Sequence, residues 1–492
     1  MEAGEINLTN ATVSGNSAAS GGNLHNEGAG ASMDLLNTTV ADAVAGDGID
    51  EVSGVVALKN SLVVDNTADD CTAPISTNGQ NTDSDGTCGL SASLGDFTDA
   101  TPDLGPLQNN GGQTDTHALL QSSSAIDTAD NSACPDDDQR NAPRPLDGDN
   151  DAGAVCDRGA YELAVCLGQP ATIIGTFGDD VLVGTAGPDV IVALSGDDII
   201  IPGGGNDHIC GDEGNDTISF ADASGVIVNL NAGTASGHGS DQIAGVEHVV
   251  GSPGNDTITG TNGANTLNGG GGNDVLKGLA GSDILIGANG NDVLIGGPGD
   301  DQLDAGAGTD TARFPGTSPV TVNLATGTAS GQGNDTIAGV ENVTGSTRAD
   351  TLVGHDGPNK LNGGAGADVL IGGLGNDTLI GGGGIDTAVF PGRARVRVDL
   401  RLGTATGRGN DILRGIENIR GGAGPDIIQG NNLRNVLNGL GGDDTIIGFG
   451  GNDVLIGFRG DDALNGGRGT DTCAGGPGVD RAFGCEIITG VP

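Results

Sequence analysis

Aspartate returns at every ninth position through the carboxy-terminal two thirds of this chain. The first run holds Asp180, Asp189, Asp198, Asp207 and Asp216, and the second Asp256, Asn265, Asp274, Asp283, Asp292, Asp301 and Asp310. The third holds Asp350, Asn359, Asp368, Asp377 and Asp386, and the fourth Asp426, Asn435, Asp444, Asp453, Asp462, Asp471 and Asp480. From Gly175 onward these residues sit in the template G-x-x-G-x-D-x-U-x, with U a large aliphatic residue, which makes 24 repeats, 21 with Asp and three with Asn. A short carboxylate beside loop carbonyl oxygens that glycine lets converge suits a hard cation taking six to eight oxygens, calcium before magnesium. The chain has 56 Asp against 10 Glu, a skew that solubility alone would not require.

The positioning element follows from the same nonapeptide. Six glycine-rich residues can turn with positive φ, and three extended ones form a strand whose middle residue, U, points inward. Stacked turns then give two short parallel sheets over one layer of Ile, Leu and Val, two repeats to a coil. Between runs lies a second unit: "VIVNLNAGTASGHGSDQIAGVEHVV" from Val226, "VTVNLATGTASGQGNDTIAGVENVT" from Val320 and "VRVDLRLGTATGRGNDILRGIENIR" from Val396. The first two starts lie two nonapeptides farther apart than the last two, so repeats have been gained or lost in pairs. An odd number would swap the two sides. Phe220, Phe314 and Phe390, each four positions after the last Asp of a run, read as core plugs where the regular roll meets the insert.

These repeats resemble the RTX, or haemolysin-type, calcium-binding nonapeptide G-G-x-G-x-D-x-U-x, over about residues 171 to 490. The resemblance implies a parallel β-roll that folds on binding Ca2+. Each ion would lie between turn loops of successive coils, held by loop carbonyls and by aspartates two repeats apart, as Asp368 is from Asp386. The ligands implied are the 21 aspartates named above. Runs of 5, 7, 5 and 7 loops, each with two fewer inter-turn sites than loops, imply 16 ions, enough to bring the charge of −47 to roughly −15. Pro188, Pro358 and Pro425, next to ligand positions, depart from the ideal loop. So do Glu247, Glu341 and Glu417, each in the ligand position of a degenerate repeat, with Asn265, Asn359 or Asn435 two repeats later. These three seam sites are expected to be weak or empty, the Asn amide hydrogen-bonding the Glu carboxylate.

The amino-terminal third is built differently. "NATVSGNSA" from Asn10, "NTTVADAVA" from Asn37 and "NSLVVDNTA" from Asn60 recur at intervals that suit coils of a right-handed parallel β-helix. Residues 96–162 resemble the choice-of-anchor Q domain that closes parallel β-helices of bacterial surface and secreted proteins, through T-H-A-L-L, S-A-I-D, D-Q-R and C-D-x-G-A-Y-E. The fold class is thus all-β, a right-handed parallel β-helix fragment followed by a parallel β-roll. Expected boundaries are 1–95 for the coils, 96–165 for the closing module, 166–225 for the first run, and 226–319, 320–395 and 396–492 for insert plus run. The eight cysteines are expected to pair as neighbours, Cys71–Cys88, Cys134–Cys156, Cys166–Cys210 and Cys473–Cys485, in an oxidising compartment, although spacing alone cannot fix connectivity.

Composition excludes several functions. With no Trp, one Tyr and eight Phe against 95 Gly in 492 residues, the chain cannot build a thick aromatic core. A charge of −47 repels nucleic acid and anionic membranes, and no apolar stretch of about 18 residues exists to span a bilayer. No signal peptide is visible, and the first residues read as the middle of a fold, so the true amino end is expected upstream. Catalysis finds no support: the Asp-Pro-His motif of mannuronan epimerases is absent, and His25 and His117 read as isolated surface histidines. Asp127, Asp130, Asp136, Asp137 and Asp138 near Arg140 and Arg144 read as turn caps and salt-bridged loops rather than a glycosidase carboxylate pair. Asp147, Asp149 and Asp151 alternate like a small calcium loop without the distal Glu of an EF-hand. Arg393, Arg395, Arg397, Arg401, Arg408, Arg414 and Arg420 form the one basic patch, read as charge relief for the roll before a grip on acidic polysaccharide. The reading is a non-catalytic, calcium-binding structural or adhesion-type protein, extracellular or at the cell surface, with extracellular polysaccharide or the cell surface as possible partner. The alternative is the carboxy-terminal part of a secreted polysaccharide-active lyase or epimerase-like β-helix enzyme whose catalytic coils lie upstream.

Overall fold

A computed structural model describes residues 4–18, 22–98, 100–110, 112–148 and 154–490. Among them there is no α-helix; apart from three short 3-10 turns, the ordered elements are strands, most of them in parallel pairs. The chain divides into two compact units, residues 1–218 with 239–246, and residues 219–238 with 247–492.

In the first unit the strands Glu5–Ser14, Leu24–Ala41 and Ile49–Lys59 stack in parallel, with Leu8 opposite Leu35 and Leu35 opposite Leu58. The intervals between the three asparagine-led segments are therefore coil lengths. Asn10, Asn37 and Asn60 mark the same corner in successive coils, at φ of 49°, 47° and 51°. Asparagine tolerates this left-handed conformation, which β-branched neighbours do not. Met33, Leu35, Val40, Val56, Leu58 and Val63 fill the interior behind it, with the Cys71–Cys88 disulfide at the edge.

Residues 96–165 contribute the antiparallel pair Leu104–Gln108 and Thr116–Leu119 and a set of buried ion pairs. Arg140 binds Asp138 at 2.7 Å and stacks on Tyr161, and Arg144 lies 3.4 Å from Glu162. Arg158 is wholly buried, stacks on Phe97 and donates to the carbonyls of Asn81, Gly95 and Thr128. It thereby supplies donors to coil carbonyls that no further strand covers. Asp130, paired to Lys59 at 2.7 Å, accepts from the Ser132 amide, and Asp127 accepts from Gly148, so these carboxylates cap turns and hold loops. Asp149 and Asp151, two of the three carboxylates of the small-loop reading, lie outside the described residues. The unit continues into roll coils, in which Ile191 lies opposite Ile209 and Ile209 opposite Ile243. Cys166–Cys210 joins the two parts over a cluster with Leu146, Ala164, Ala171 and Val192. All four disulfides join the neighbours expected from the sequence, and no described cysteine is free.

The second unit is a β-roll with two repeats to a coil. Leu267 lies opposite Leu285 and Leu285 opposite Leu303 on one sheet; Ile258, Leu276 and Leu294 align on the other. These U-position side chains are all buried, forming the single aliphatic layer. Each insert is a detour within one sheet. Thr321–Asn323 runs parallel to Thr351–Val353, turns back as Thr328–Ser330, and turns again as Asn334–Ala338 to rejoin Gln302–Asp304 in parallel. On the other sheet Thr311–Arg313 passes straight to Asn342–Thr344, so one sheet gains two strands, roughly 10 Å at about 4.8 Å each, while its partner gains none. The third insert repeats this with Arg397–Asp399, Thr404–Thr406 and Asn410–Arg414, but in the opposite sheet. Odd runs of repeats impose that alternation, and the wedges oppose each other. Phe314 and Phe390 are buried where roll passes to insert, their amides donating to Thr344 and Arg420 carbonyls.

Deleting residues 360–377, one coil, should leave the calcium-loaded melting temperature within a few degrees of the parent. Deleting residues 369–377 places both inserts on one sheet and should lower it further despite removing half as much chain. Equal melting temperatures by circular dichroism would show that the alternation carries no stability.

Candidate metal centre

Asp in the template is followed two positions later by the buried aliphatic, so in the strand alternation it too faces inward, at the rim where strand becomes loop. Of the 21 candidate ligands, 20 are buried and Asp180 is half-buried. Coil stacking brings each beside its counterpart two repeats on, and the contact is a hydrogen bond. The amide of Asp256 donates to Oδ1 of Asp274 at 2.8 Å, Asp274 to Asp292 at 2.8 Å, and Asp292 to Asp310 at 2.7 Å. Asp368 and Asp386 are joined the same way at 2.8 Å, as are Asp426, Asp444, Asp462 and Asp480 in sequence. In the first unit Asp180, Asp198 and Asp216 form one such column, and Asp189 and Asp207 another.

The second carboxylate oxygen is what a cation needs. Oδ2 of Asp198, Asp274, Asp283, Asp292, Asp301, Asp310, Asp368, Asp386, Asp444, Asp453, Asp462, Asp471 and Asp480 is buried without a hydrogen-bond partner. A buried, unsatisfied carboxylate oxygen opposes folding unless something positive meets it. The leading Asp of a run differs: Oδ2 of Asp180, Asp189, Asp256, Asp350 and Asp426 accepts an amide of its own loop. Glycine five positions before most of these aspartates makes the space, with Ala193, Pro202 and Ala305 in that place before Asp198, Asp207 and Asp310. A Cβ on Gly269 would stand 2.2 Å from Asp274 Oδ2, on Gly278 2.1 Å from Asp283 Oδ2, and on Gly448 2.3 Å from Asp453 Oδ2. Two positions before Asp274, Gly272 has φ of 100° and a Cβ there would strike the Gly254 carbon at 2.5 Å, so only glycine fits the turn. Among the described residues no three His, Cys, Asp or Glu side chains converge. The donors present at one place are therefore one or two carboxylates with loop carbonyls beside them, a set that would fit calcium.

Burial pushes Asp274 and Asp444 up to about 7, and Asp283, Asp368, Asp377 and Asp453 up to about 6, with amide donors pulling the other way. Carboxylates on neighbouring coils add to the rise at Asp274 and Asp444.

Several members of this array lie outside the nonapeptide count. Asp207 donates to Asp241 at 3.2 Å, Asp301 to Asp335 at 3.1 Å and Asp377 to Asp411 at 3.0 Å, so each insert contributes a buried aspartate to the ladder 34 residues on. The signal was present as G-x-D-x-U in "GSDQI", "GNDTI" and "GNDIL". The ladder also closes on glutamate: Asp310 donates to Oε2 of Glu341 at 2.8 Å, Asp386 to Glu417 at 2.9 Å and Asp471 to Glu486 at 2.7 Å. A second ladder runs the opposite way on the exposed side, as Asn273 donates to Asn255 and Asn291 to Asn273, both at 2.7 Å. The Asn-Asp and Asp-Asp doublets encode it. Pro188, Pro358 and Pro425 lack the amide for this outer rung, yet the residues after them keep the inner one.

The expected Asn–Glu contact at the seams is corrected. Nδ2 of Asn265, Asn359 and Asn435 donates to the backbone carbonyl of Glu247, Glu341 and Glu417, at 2.8, 2.9 and 2.8 Å, because the carboxylates of Glu341 and Glu417 are turned to the amides of Asp310 and Asp386. The reading of His117 as an isolated surface histidine is also overturned, while His25 stays exposed but is not isolated. His117, on the strand Thr116–Leu119, is buried between Ser14 Oγ and the Gly105 carbonyl, each at 2.8 Å. His25, on the strand Leu24–Ala41, pairs with Asp50 at 2.9 Å, which raises its pKa.

The family model of the RTX calcium-binding nonapeptide repeat (four copies) matches residues 174–209, 203–218, 241–276, 250–285, 277–312, 338–366, 344–379, 353–388, 406–446, 429–457 and 447–482. The chain matches no curated protein.

A carboxyl group whose folded pKa exceeds the unfolded value of about 3.9 stabilises the fold below that value and loses the contribution as pH rises through the folded one. Metal-free, the ladder should thus be most stable near pH 4 and weaken toward pH 7, the upper end set by Asp274 and Asp444 at about 7. Circular dichroism in excess chelator should show more β structure at the lower pH; the opposite order would contradict the buried ladder. Gly448→Ala, which forces Asp453 to move, should lower the calcium count or affinity in native mass spectrometry.

Proposed function

From residues 174–482 being an array of RTX calcium-binding nonapeptide repeats, we propose that this is a secreted or cell-surface structural or adhesion-type protein whose roll folds on binding calcium. The observation that carries the reading is the column of buried, unpartnered Oδ2 atoms, most of them beside a glycine gap. A chain with 66 acidic and 19 basic side chains cannot neutralise that column by ion pairing alone. Extracellular calcium modules bind at about 10⁻⁴ to 10⁻³ M, so the roll stays open in a calcium-poor cell and orders outside, binding free energy becoming folding free energy. Four disulfides suit the same oxidising compartment. The amino-terminal coils are closed by a module of the choice-of-anchor Q kind, whose Arg158 donates to the Asn81 and Gly95 carbonyls.

The ions lie between aspartates two repeats apart, on the order of 16 in all, with the Glu–Asn seams weak or empty. At a seam the Asn amide already satisfies a Glu carbonyl, at 2.8 Å for Asn265. An Asp there would instead set two oxygens face to face, an arrangement that a cation stabilises.

Calcium titration of the full chain by circular dichroism should show a cooperative gain of β signal above that of the amino-terminal coils, reversed by chelator. A full signal in excess chelator at pH 7 would refute calcium-driven folding. Native mass spectrometry at millimolar calcium should find on the order of 16 ions; only a few would refute the ligand assignment. Replacing Asn265, Asn359 and Asn435 with Asp should raise that count, and seams already filled in the parent chain would show the Asn reading to be wrong.

A further inference from the structure

The basic patch divides into arginines that serve the roll and arginines that do not. Arg401 pairs with Asp399 at 3.0 Å and stacks on Phe449 at 3.8 Å. Arg408 donates to the Gly373 carbonyl at 3.1 Å and opposes the rise that burial imposes on the pKa of Asp377 and Asp411, and Arg395 does the same for Asp426. Those three relieve charge. Arg393, Arg420 and Arg459 are exposed, and among the described residues none of them forms an ion pair, in a chain with 66 acidic side chains. Instead they line one open cleft of about 610 Å³, together with Leu440 and Phe458.

Leu440 and Phe458 are a second, independent observation. They face each other across adjacent coils, at the position four before a ladder aspartate where the RTX nonapeptide template G-G-x-G-x-D-x-U-x has glycine. Their φ values are 74° and 81°, a left-handed conformation in which bulky side chains are outliers. The same loop position is left-handed at Leu194, Leu279 and Phe449, so the turn of the roll imposes it. Here it holds an aromatic ring 49% exposed on the loop edge, flanked by Arg459, whose guanidinium lies 5.8 Å from the ring centre. Arg420 aligns with Asn438, and Arg459 with Gly441 of that same coil's strand, so the two arginines are two coils apart, roughly 10 Å at about 4.8 Å per coil, and offset by three residues, roughly 10 Å more along the strand.

We propose that this cleft binds a carboxylated polysaccharide, a polyuronate chain. Several unpaired guanidiniums along one cleft match carboxylates repeated along a polymer, which they grip through paired, charge-assisted hydrogen bonds. The ring of Phe458 and the side chain of Leu440 offer an apolar floor for the C–H face of a sugar. A small single anion would use one arginine and leave the floor uncovered. The assignment is independent of the calcium reading, since it needs only the folded roll.

The test uses the full chain at a fixed calcium concentration, with circular dichroism on each sample to show that the roll is folded. Calorimetry should detect trigalacturonate, but neither neutral galactotriose nor a sulfated trisaccharide of equal charge at the same concentration. Arg420→Ala with Arg459→Ala should weaken binding about tenfold or more, each lost charge-assisted pair being of that order. Phe458→Gly restores the template residue, so it should fold at least as well as the parent and still bind more weakly. Arg401→Ala, outside the cleft, should bind as the parent does. No binding of trigalacturonate by the folded parent chain would overturn the proposal, as would binding unchanged by the arginine and phenylalanine variants, the result expected if calcium merely bridges two carboxylates. Preference for the sulfated ligand would overturn the assignment to uronates.

Discussion

A carboxylate oxygen buried without a donor is the condition to which the rest of the roll is fitted. Within a column an aspartate such as Asp283 gives Oδ1 to the amide of the preceding coil and leaves Oδ2 in a gap that Gly278 keeps open. Backbone stacking and charge are thereby made inseparable: the bond that sets the coil register also places an unneutralised oxygen inside. Aspartate serves because its oxygens stay beside its own backbone. Where glutamate is used, at Glu341, Glu417 and Glu486, it stands at the end of a column and reaches back to an amide that no aspartate of a following coil can meet.

The inserts test this arrangement, because each interrupts the period without interrupting the ladder. Asp335 and Asp411 come 34 residues after their partners and occupy the place that an aspartate two repeats on holds elsewhere. The detour is absorbed in one sheet as two extra antiparallel strands, while the opposite sheet keeps its parallel pairing. At the same seams neutral Asn359 and Asn435 donate to a carbonyl, so the junctions hold by hydrogen bonds of the chain itself.

The amino-terminal third meets the problem of buried charge in the other way. Asp138, Glu162, Arg140 and Arg144 are buried together, and the carboxylates also take backbone amides, Glu162 from Leu146 and Asp157. Burial still raises Glu162 to about 7, with Arg144 opposing the rise. Such a pair, closed by its own cations, needs nothing from solution, whereas no salt bridge among the described residues reaches the unpartnered Oδ2 atoms of the roll's columns. One chain thus joins a self-sufficient polar core to a dependent one.

The nonapeptide period, the glycine loops and the aliphatic U position were enough to read out the all-β roll, because strand alternation and coil stacking repeat the same local decision 24 times. The coil lengths marked by Asn10, Asn37 and Asn60 and the four disulfide pairs were legible for the same reason, repetition and proximity along the chain. What tertiary structure decided lies where contacts join residues at irregular separations. That Asn265 meets the Glu247 carbonyl and not its carboxylate depends on which way the seam turns. That His117 is buried against Ser14, 103 residues away, depends on how a hairpin lies on the coils. The unpaired arginines follow the same rule: Arg393, Arg420 and Arg459 are scattered along the chain and share a cleft only because stacking superimposes every second repeat. Periodicity fixes what each residue does within its coil, and only the stacked coils determine which side chains of different coils meet.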